Sequence, residues 1–137
     1  MRLQKNTLLA LYSALEFAAQ PQRQLSVAGI AASLRVSPHH LAKVLRTLGR
    51  AGLVDSVRGA RGGYRFAGNA RRVTLMDVIA LFEDIGAPRP RTRRGRRPAE
   101  RALEQVLREI DDTARATFDS VTLDTMLKLI ERRNGRD

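Results

Sequence analysis

The residues with chemistry to offer are hydrogen-bond donors, and most of them share one side of one segment. His39, His40, Lys43, Arg46, Thr47 and Arg50 point away from a row made by Leu41, Val44, Leu45 and Leu48. A second group, Arg58, Arg61 and Arg65, follows in a glycine-tipped stretch. Lysine and arginine side chains donate to phosphate oxygens and to base edges. That chemistry holds a polyanion without making or breaking covalent bonds. The signals of covalent chemistry are missing. His39 and His40 are the only histidines; neighbours on a helix point about 100° apart and make a poor chelating pair. The chain has no cysteine, which excludes disulfides, thiolate metal sites and cysteine-held iron–sulfur clusters. No nucleophile motif, phosphate-cradling loop or paired carboxylates stand out. Gly59-Ala60-Arg61-Gly62-Gly63 sits between strand-like runs and lacks the Lys-Ser/Thr ending of a nucleotide loop. Asp111-Asp112 lies on a charged helix face. The chain does not read as an enzyme, and no metal or cofactor is expected.

The elements that must position these donors can be placed from local signals. Ser26 caps a short helix whose apolar face is Val27, Ile30, Ala31 and Leu34. A tight break follows at Arg35-Val36. Ser37 caps the next helix, and Pro38 takes the first helical position, where a missing N–H costs nothing. Leu41, Val44, Leu45 and Leu48 recur at i, i+3, i+4, i+7, and Gly52 suits the left-handed residue that ends the helix. A hairpin is predicted next, from Leu53 to Arg58 and from Tyr64 to Ala67, with Gly59, Gly62 and Gly63 supplying positive φ angles. Tyr64 and Phe66 share its inner face. Helix, turn, helix and basic hairpin form a winged helix-turn-helix. Its second helix fits a major groove, and its wing can meet phosphates or a minor groove.

Charge follows the same plan. The net charge is +11 over 137 residues. Residues 35–72 hold nine basic residues against the single acid Asp55, and residues 89–101 hold seven arginines against Glu100. Residues 102–137 instead hold six basic and eight acidic residues. A solubility surface would not require this segregation; a nucleic-acid partner does. No apolar run approaches the ~20 residues of a membrane helix. No signal peptide is evident. A cytoplasmic protein is expected.

The remaining segments frame the reading head. Residues 2–20 read as a well-buried helix carrying Leu3, Leu8, Leu11, Tyr12, Leu15, Phe17, Ala18 and Ala19. Thr74 and Asp77 mimic a capping box for a helix with Leu75, Val78, Ile79 and Phe82, expected to end near Asp84. Residues 85–98 contain three prolines, two glycines and six arginines, too polar to offset the entropy of ordering. They read as a mobile loop: a solvated linker, a non-specific phosphate contact, or a trap for an anionic effector. Residues 99–119 read as a long helix with the stripe Leu103, Val106, Leu107, Ile110, Ala114 and Phe118. So narrow a stripe is most economically covered by the same helix of a second copy. A short helix after Thr122 uses Leu123, Met126, Leu127 and Ile130, and the tail from Glu131 is expected to fray. The fold expected is mainly α with a small β-hairpin wing. It divides into a winged helix-turn-helix unit at 1–84, an arginine-rich loop at 85–98, and a dimerisation helix with a short C-terminal helix at 99–137.

These residues resemble the Rrf-type (type two) family of bacterial winged-helix regulators, the IscR- and NsrR-like proteins. The likeness is carried by Met1-Arg2-Leu3, Ile30-Ala31, Ser37 through Leu41, Ala51 through Tyr64, Thr74 through Ile79, and Ser120-Val121-Thr122-Leu123. It covers nearly the whole chain outside 85–98. It implies a homodimer whose long helices cross, with recognition helices in successive major grooves of a palindromic operator and wings in the flanking minor grooves. The base-reading positions it implies are Ser37, His39, His40 and Lys43, with Arg58 and Arg61 in the wing. Sensing members of the family hold an iron–sulfur cluster with three cysteines in the loop that is arginine-rich here. The resemblance therefore does not bring cluster-based sensing with it. Three readings stay open: an operator-specific repressor, a non-specific nucleic-acid binder using the arginine-rich loop, and a regulator answering an unknown small-molecule effector.

Overall fold

The computed structural model describes residues 2–59, 62–86 and 97–135. In chain order the elements are α1 (Lys5–Ala19), α2 (Val27–Leu34), α3 (Pro38–Arg50), β1 (Val54–Val57), β2 (Gly63–Phe66), α4 (Leu75–Ile79), α5 (Pro98–Ser120) and α6 (Leu123–Asn134). The fold is mostly helical with one antiparallel hairpin, as its sequence pattern implies.

Helix α1 is the spine. Leu9, Ala10, Ala14, Phe17 and Ala18 are buried, and α1 packs against α3, α4 and α6. Its start has no side-chain cap of its own. Glu83, beyond α4, supplies one: its carboxylate accepts from the Gln4 backbone N–H at 2.8 Å and from the Thr7 hydroxyl. A carboxylate there also complements the positive end of the helix dipole. Tyr12 departs from the expectation of a helix buried all round, being 49% exposed. Tyr12 instead lines an open groove with Leu34 of α2 and Leu127 and Ile130 of α6.

The reading head follows its local signals closely. Ser26 Oγ accepts from Gly29 N at 3.0 Å and Ser37 Oγ from His40 N at 3.0 Å. Between the two helices Arg35 takes a left-handed conformation, φ 58°, although it is not glycine. Such a residue costs on the order of 1 kcal/mol and persists when its surroundings over-determine it. Here the Val36 N–H bonds the Ala31 carbonyl at 3.0 Å and fixes the turn. Gly52, at φ 80°, ends α3 as expected.

The wing pairs Val54 with Phe66, Asp55 with Arg65, Ser56 with Tyr64 and Val57 with Gly63. It does not stand alone. Leu25, just before α2, forms an antiparallel bridge with Tyr64 through bonds of 2.9 and 3.0 Å. The Phe17 and Tyr64 rings meet edge to face, 6.5 Å apart. The glycines divide their labour differently from the expectation of three positive φ angles: only Gly59, at φ 155°, has one in the wing. Gly63 is needed for space, since a Cβ there would lie 2.5 Å from the Leu25 carbonyl oxygen.

Beyond the wing, Thr74 and Asp77 close a full capping box on α4. The helix is shorter than expected. After Ile79 the chain turns back on itself, with the Phe82 and Glu83 N–H groups both reaching the Ile79 carbonyl at 3.0 Å. That turn delivers Glu83 to α1. The α5–α6 junction is pinned to the strand-like stretch before α4 by the Thr74–Thr122 bridge and by Leu75 N to Val121 O at 2.8 Å. Leu123 is therefore buried in the same core as α1. The expected fraying from Glu131 gives way to helix as far as Asn134.

Gly63→Ala should lower stability by about 1–3 kcal/mol, because overpacking displaces the Leu25–Tyr64 bridge. Gly62→Ala, with open space around its Cβ, serves as the control. Thermal unfolding followed by circular dichroism separates the two, and equal melting temperatures would mean that the bridge does not hold the wing.

Candidate nucleic-acid interface

Burial sets the rotation of α3. Leu41, Val44, Leu45 and Leu48 are all inside the core. His39, Lys43, Arg46 and Arg50 follow one another at spacings of four, three and four, and all are exposed. They form one donor row along a helix of 13 residues, about 20 Å long at 1.5 Å per residue. Among the described residues no carboxylate holds any of them. The row is uncovered and fits a groove about 12 Å wide.

Other expected positions behave differently. Ser37 is exposed, but its oxygen is engaged as the cap of α3; its hydroxyl hydrogen remains to donate outward. His40 is turned partly inward. Its Nε2 is enclosed without a hydrogen-bond partner among the described residues. Thr47 bonds the Lys43 carbonyl at 3.3 Å and stays with its own helix. Arg58 is exposed at the end of β1. Arg61 lies outside the described residues, as do residues 87–96 of the arginine-rich segment.

Arg65 is exposed on β2 opposite Asp55 and adds a cation to the outer face of the wing. Sequence reasoning missed the part of Leu25, which ties that wing to the first helix of the reading head. A signal existed: Leu25 precedes the Ser26 cap, with Ile30 at the fourth helical position, the spacing of a hydrophobic staple.

The stripe expected on α5 is split. Phe118 packs on the chain's own core, with Ala114 and Leu107 half-buried. Leu103, Val106 and Ile110 stay 60%, 50% and 55% exposed.

A donor row stands on α3 over a packed core, with a basic hairpin anchored beside it. The molecule is a DNA-binding transcription regulator of the winged helix-turn-helix class. The model of the Rrf2 family, described as an iron-dependent transcriptional regulator, matches residues 3–129, and the chain belongs to that family. It is 53% identical over 131 residues to the HTH-type transcriptional regulator BadM of Rhodopseudomonas palustris, spanning 96% of this chain and 84% of that protein. It is 29% identical over 130 residues to IscR of Photorhabdus laumondii, covering 93% and 79%. Among solved structures, CymR, the global cysteine regulator of B. subtilis, superposes with a TM-score of 0.78 at 27% identity, covering 94% of this chain and 98% of that one. T. potens IscR superposes with a TM-score of 0.72 at 26% identity, covering 97% and 90%. These relatives are regulators, not enzymes. The family's description names iron, yet the donors here do not fit a thiolate-held centre: the chain has no cysteine. Among the described residues no three of His, Cys, Asp and Glu gather around a common point.

Two substitutions should separate positioning from reading. Arg58→Ala is expected to weaken every duplex about equally and to lower the slope of log affinity against log salt by about 1. Lys43→Ala should cost about 1–3 kcal/mol on the preferred sequence and much less on random DNA. Fluorescence anisotropy across a salt series reads both. The same loss on both DNAs for Lys43→Ala would remove it from base reading.

Proposed function

We propose that the protein is a homodimeric, sequence-specific repressor acting in the cytoplasm on a palindromic operator, without an iron–sulfur cluster. The observation that carries this reading is the uncovered row His39, Lys43, Arg46 and Arg50 on a helix whose opposite face is wholly inside the core. Ser37, His40, Arg58 and Arg61 join that row as DNA contacts. One such head spans only part of a turn of duplex. Two heads related by a two-fold axis read successive major grooves, and the DNA then mirrors the protein's symmetry. The exposed part of α5 supports the pairing, because three large apolar side chains on one helix face call for a cover. Residues 1–84 read DNA in this scheme, 99–137 pair the subunits, and 85–98 join the two. Occupancy alone is enough to repress, since two seated heads exclude polymerase from the same DNA.

The arginine-rich stretch favours a second reading. Seven arginines within residues 89–101 could dominate binding to any nucleic acid, or receive an anionic effector.

Selection of bound fragments from the source genome should yield one palindrome, bound at least about a thousandfold more tightly than random duplex at physiological salt. Removing residues 89–97 should weaken random DNA strongly and the selected operator little. Equal affinity for all duplexes, lost on that deletion, would instead establish the non-specific reading. Transcription from an operator-bearing template in vitro should fall as protein is added.

A further inference from the structure

Arg35 is the one residue other than glycine with a positive φ among the described residues, at 58°. It ends α2 in a complete Schellman turn. Its own N–H bonds the Ala32 carbonyl at 3.3 Å, and the Val36 N–H bonds the Ala31 carbonyl at 3.0 Å. Those carbonyls are thus satisfied by backbone alone. The position favours glycine, because a Cβ in the left-handed region crowds the following carbonyl. The arginine side chain lowers the stability of the turn and closes none of its bonds. It is exposed, and its guanidinium has no hydrogen bond or ion pair among the described residues. The sequence carries no acid between Glu16 and Asp55, so neither α2 nor α3 offers it a carboxylate. A strained residue whose side chain serves nothing inside the molecule points to a partner outside it.

We propose that Arg35 grips a backbone phosphate of the duplex at the mouth of the major groove, beside the entry of α3. The inference rests on the DNA-reading head and adds to it a contact that positions the head without reading a base.

Dimensions put a phosphate there. Arg35 stands two residues ahead of Ser37, so their Cα atoms are at most about 7 Å apart. Ser37 caps α3, and His39 and Lys43 begin the exposed donor row. A helix with its side chains is about 10–12 Å across and fills a groove about 12 Å wide. The residue that leads into such a helix stands against a groove wall, and the walls are the phosphate strands. A guanidinium matches two phosphate oxygens at once. The two Schellman bonds fix the backbone from which the side chain departs, so only the side chain itself has to be ordered on binding. The competing role is local: a cation beside the last turn of α2 gains from the helix dipole. That role acts on stability and leaves the dependence of DNA binding on salt untouched.

Three full-length variants separate the two. Arg35→Gly removes the side chain and suits the backbone. Arg35→Asn removes the charge with a residue that also tolerates the left-handed region. Arg35→Lys keeps the charge. Each is titrated against a labelled mixed-sequence duplex long enough for two half-sites, across a potassium chloride series, with fluorescence anisotropy as the readout. Arg35→Gly and Arg35→Asn are expected to lose about fivefold in affinity per bound head at physiological salt. Their slopes of log affinity against log salt should fall by about 0.9 per head. Arg35→Lys should keep the slope and most of the affinity, and Arg35→Gly should melt at the wild-type temperature or above it. An unchanged slope in both Arg35→Gly and Arg35→Asn, whatever their melting temperatures, would overturn the inference and leave DNA binding intact. A wild-type chain with no affinity for the duplex would overturn the DNA reading itself, and this contact with it.

Discussion

The rotation of α3 about its own axis is the constraint from which the rest follows. Four side chains, Leu41, Val44, Leu45 and Leu48, lock that rotation against α1 and α2. A helix advances about 100° per residue, so the positions between them have no choice of direction. His39, Lys43, Arg46 and Arg50 are presented together because burial of their neighbours leaves them one side. A single polar replacement among the four would cost the core and aim the row at the wrong place. Stability and the direction of the donor row are thus one property of this helix.

The wing needs a different restraint, because a two-stranded hairpin alone is marginal in water. Leu25 supplies a third, one-residue strand, and Gly63 leaves room for its carbonyl. The anchor is also the residue that enters α2. The two parts of the reading head therefore share a hinge point, and Arg58 is held at a fixed offset from Lys43. Phe17 backs the arrangement through its edge-to-face contact with Tyr64. A duplex that must meet helix and wing at once gains from that rigidity, since little ordering is left to be done on binding.

Much of this was legible in the chain because its causes are local. Ser26, Ser37, Thr74 and Thr122 each cap the helix that their neighbours announce, and each hydroxyl bonds the N–H three residues on. The apolar periodicity of α3 needed no tertiary information. What escaped was non-local. Glu83 caps a helix that begins at Lys5, across 76 residues from Thr7. Gly63 is required by Leu25, a neighbour only in space. Tyr12 looked like a core residue because α1 is apolar on several sides, and only the final placement of α6 decides which of those sides is covered. Phe118 belongs to the α5 stripe by spacing, yet the bridge at Thr122 pulls that end of the helix onto its own core. The inward turn of His40 had no sequence signal at all, since a first-turn position on α3 can face either the duplex or α2.

Similar anchors fix the chain on either side of residues 87–96. Gly86, at φ 77°, turns the chain beside Arg115 of α5. The Arg115 guanidinium donates to the Ile85 carbonyl at 3.2 Å. On the other side Pro98 opens α5, and that helix is fixed at its far end by the Thr74–Thr122 bridge. Ile85, the first residue of the arginine-rich segment, is itself buried in the core, so that end of the segment is part of the packing. The four leucine and valine positions that orient α3 belong to that same core, so the direction of the donor row is bound to the packing that makes the protein fold.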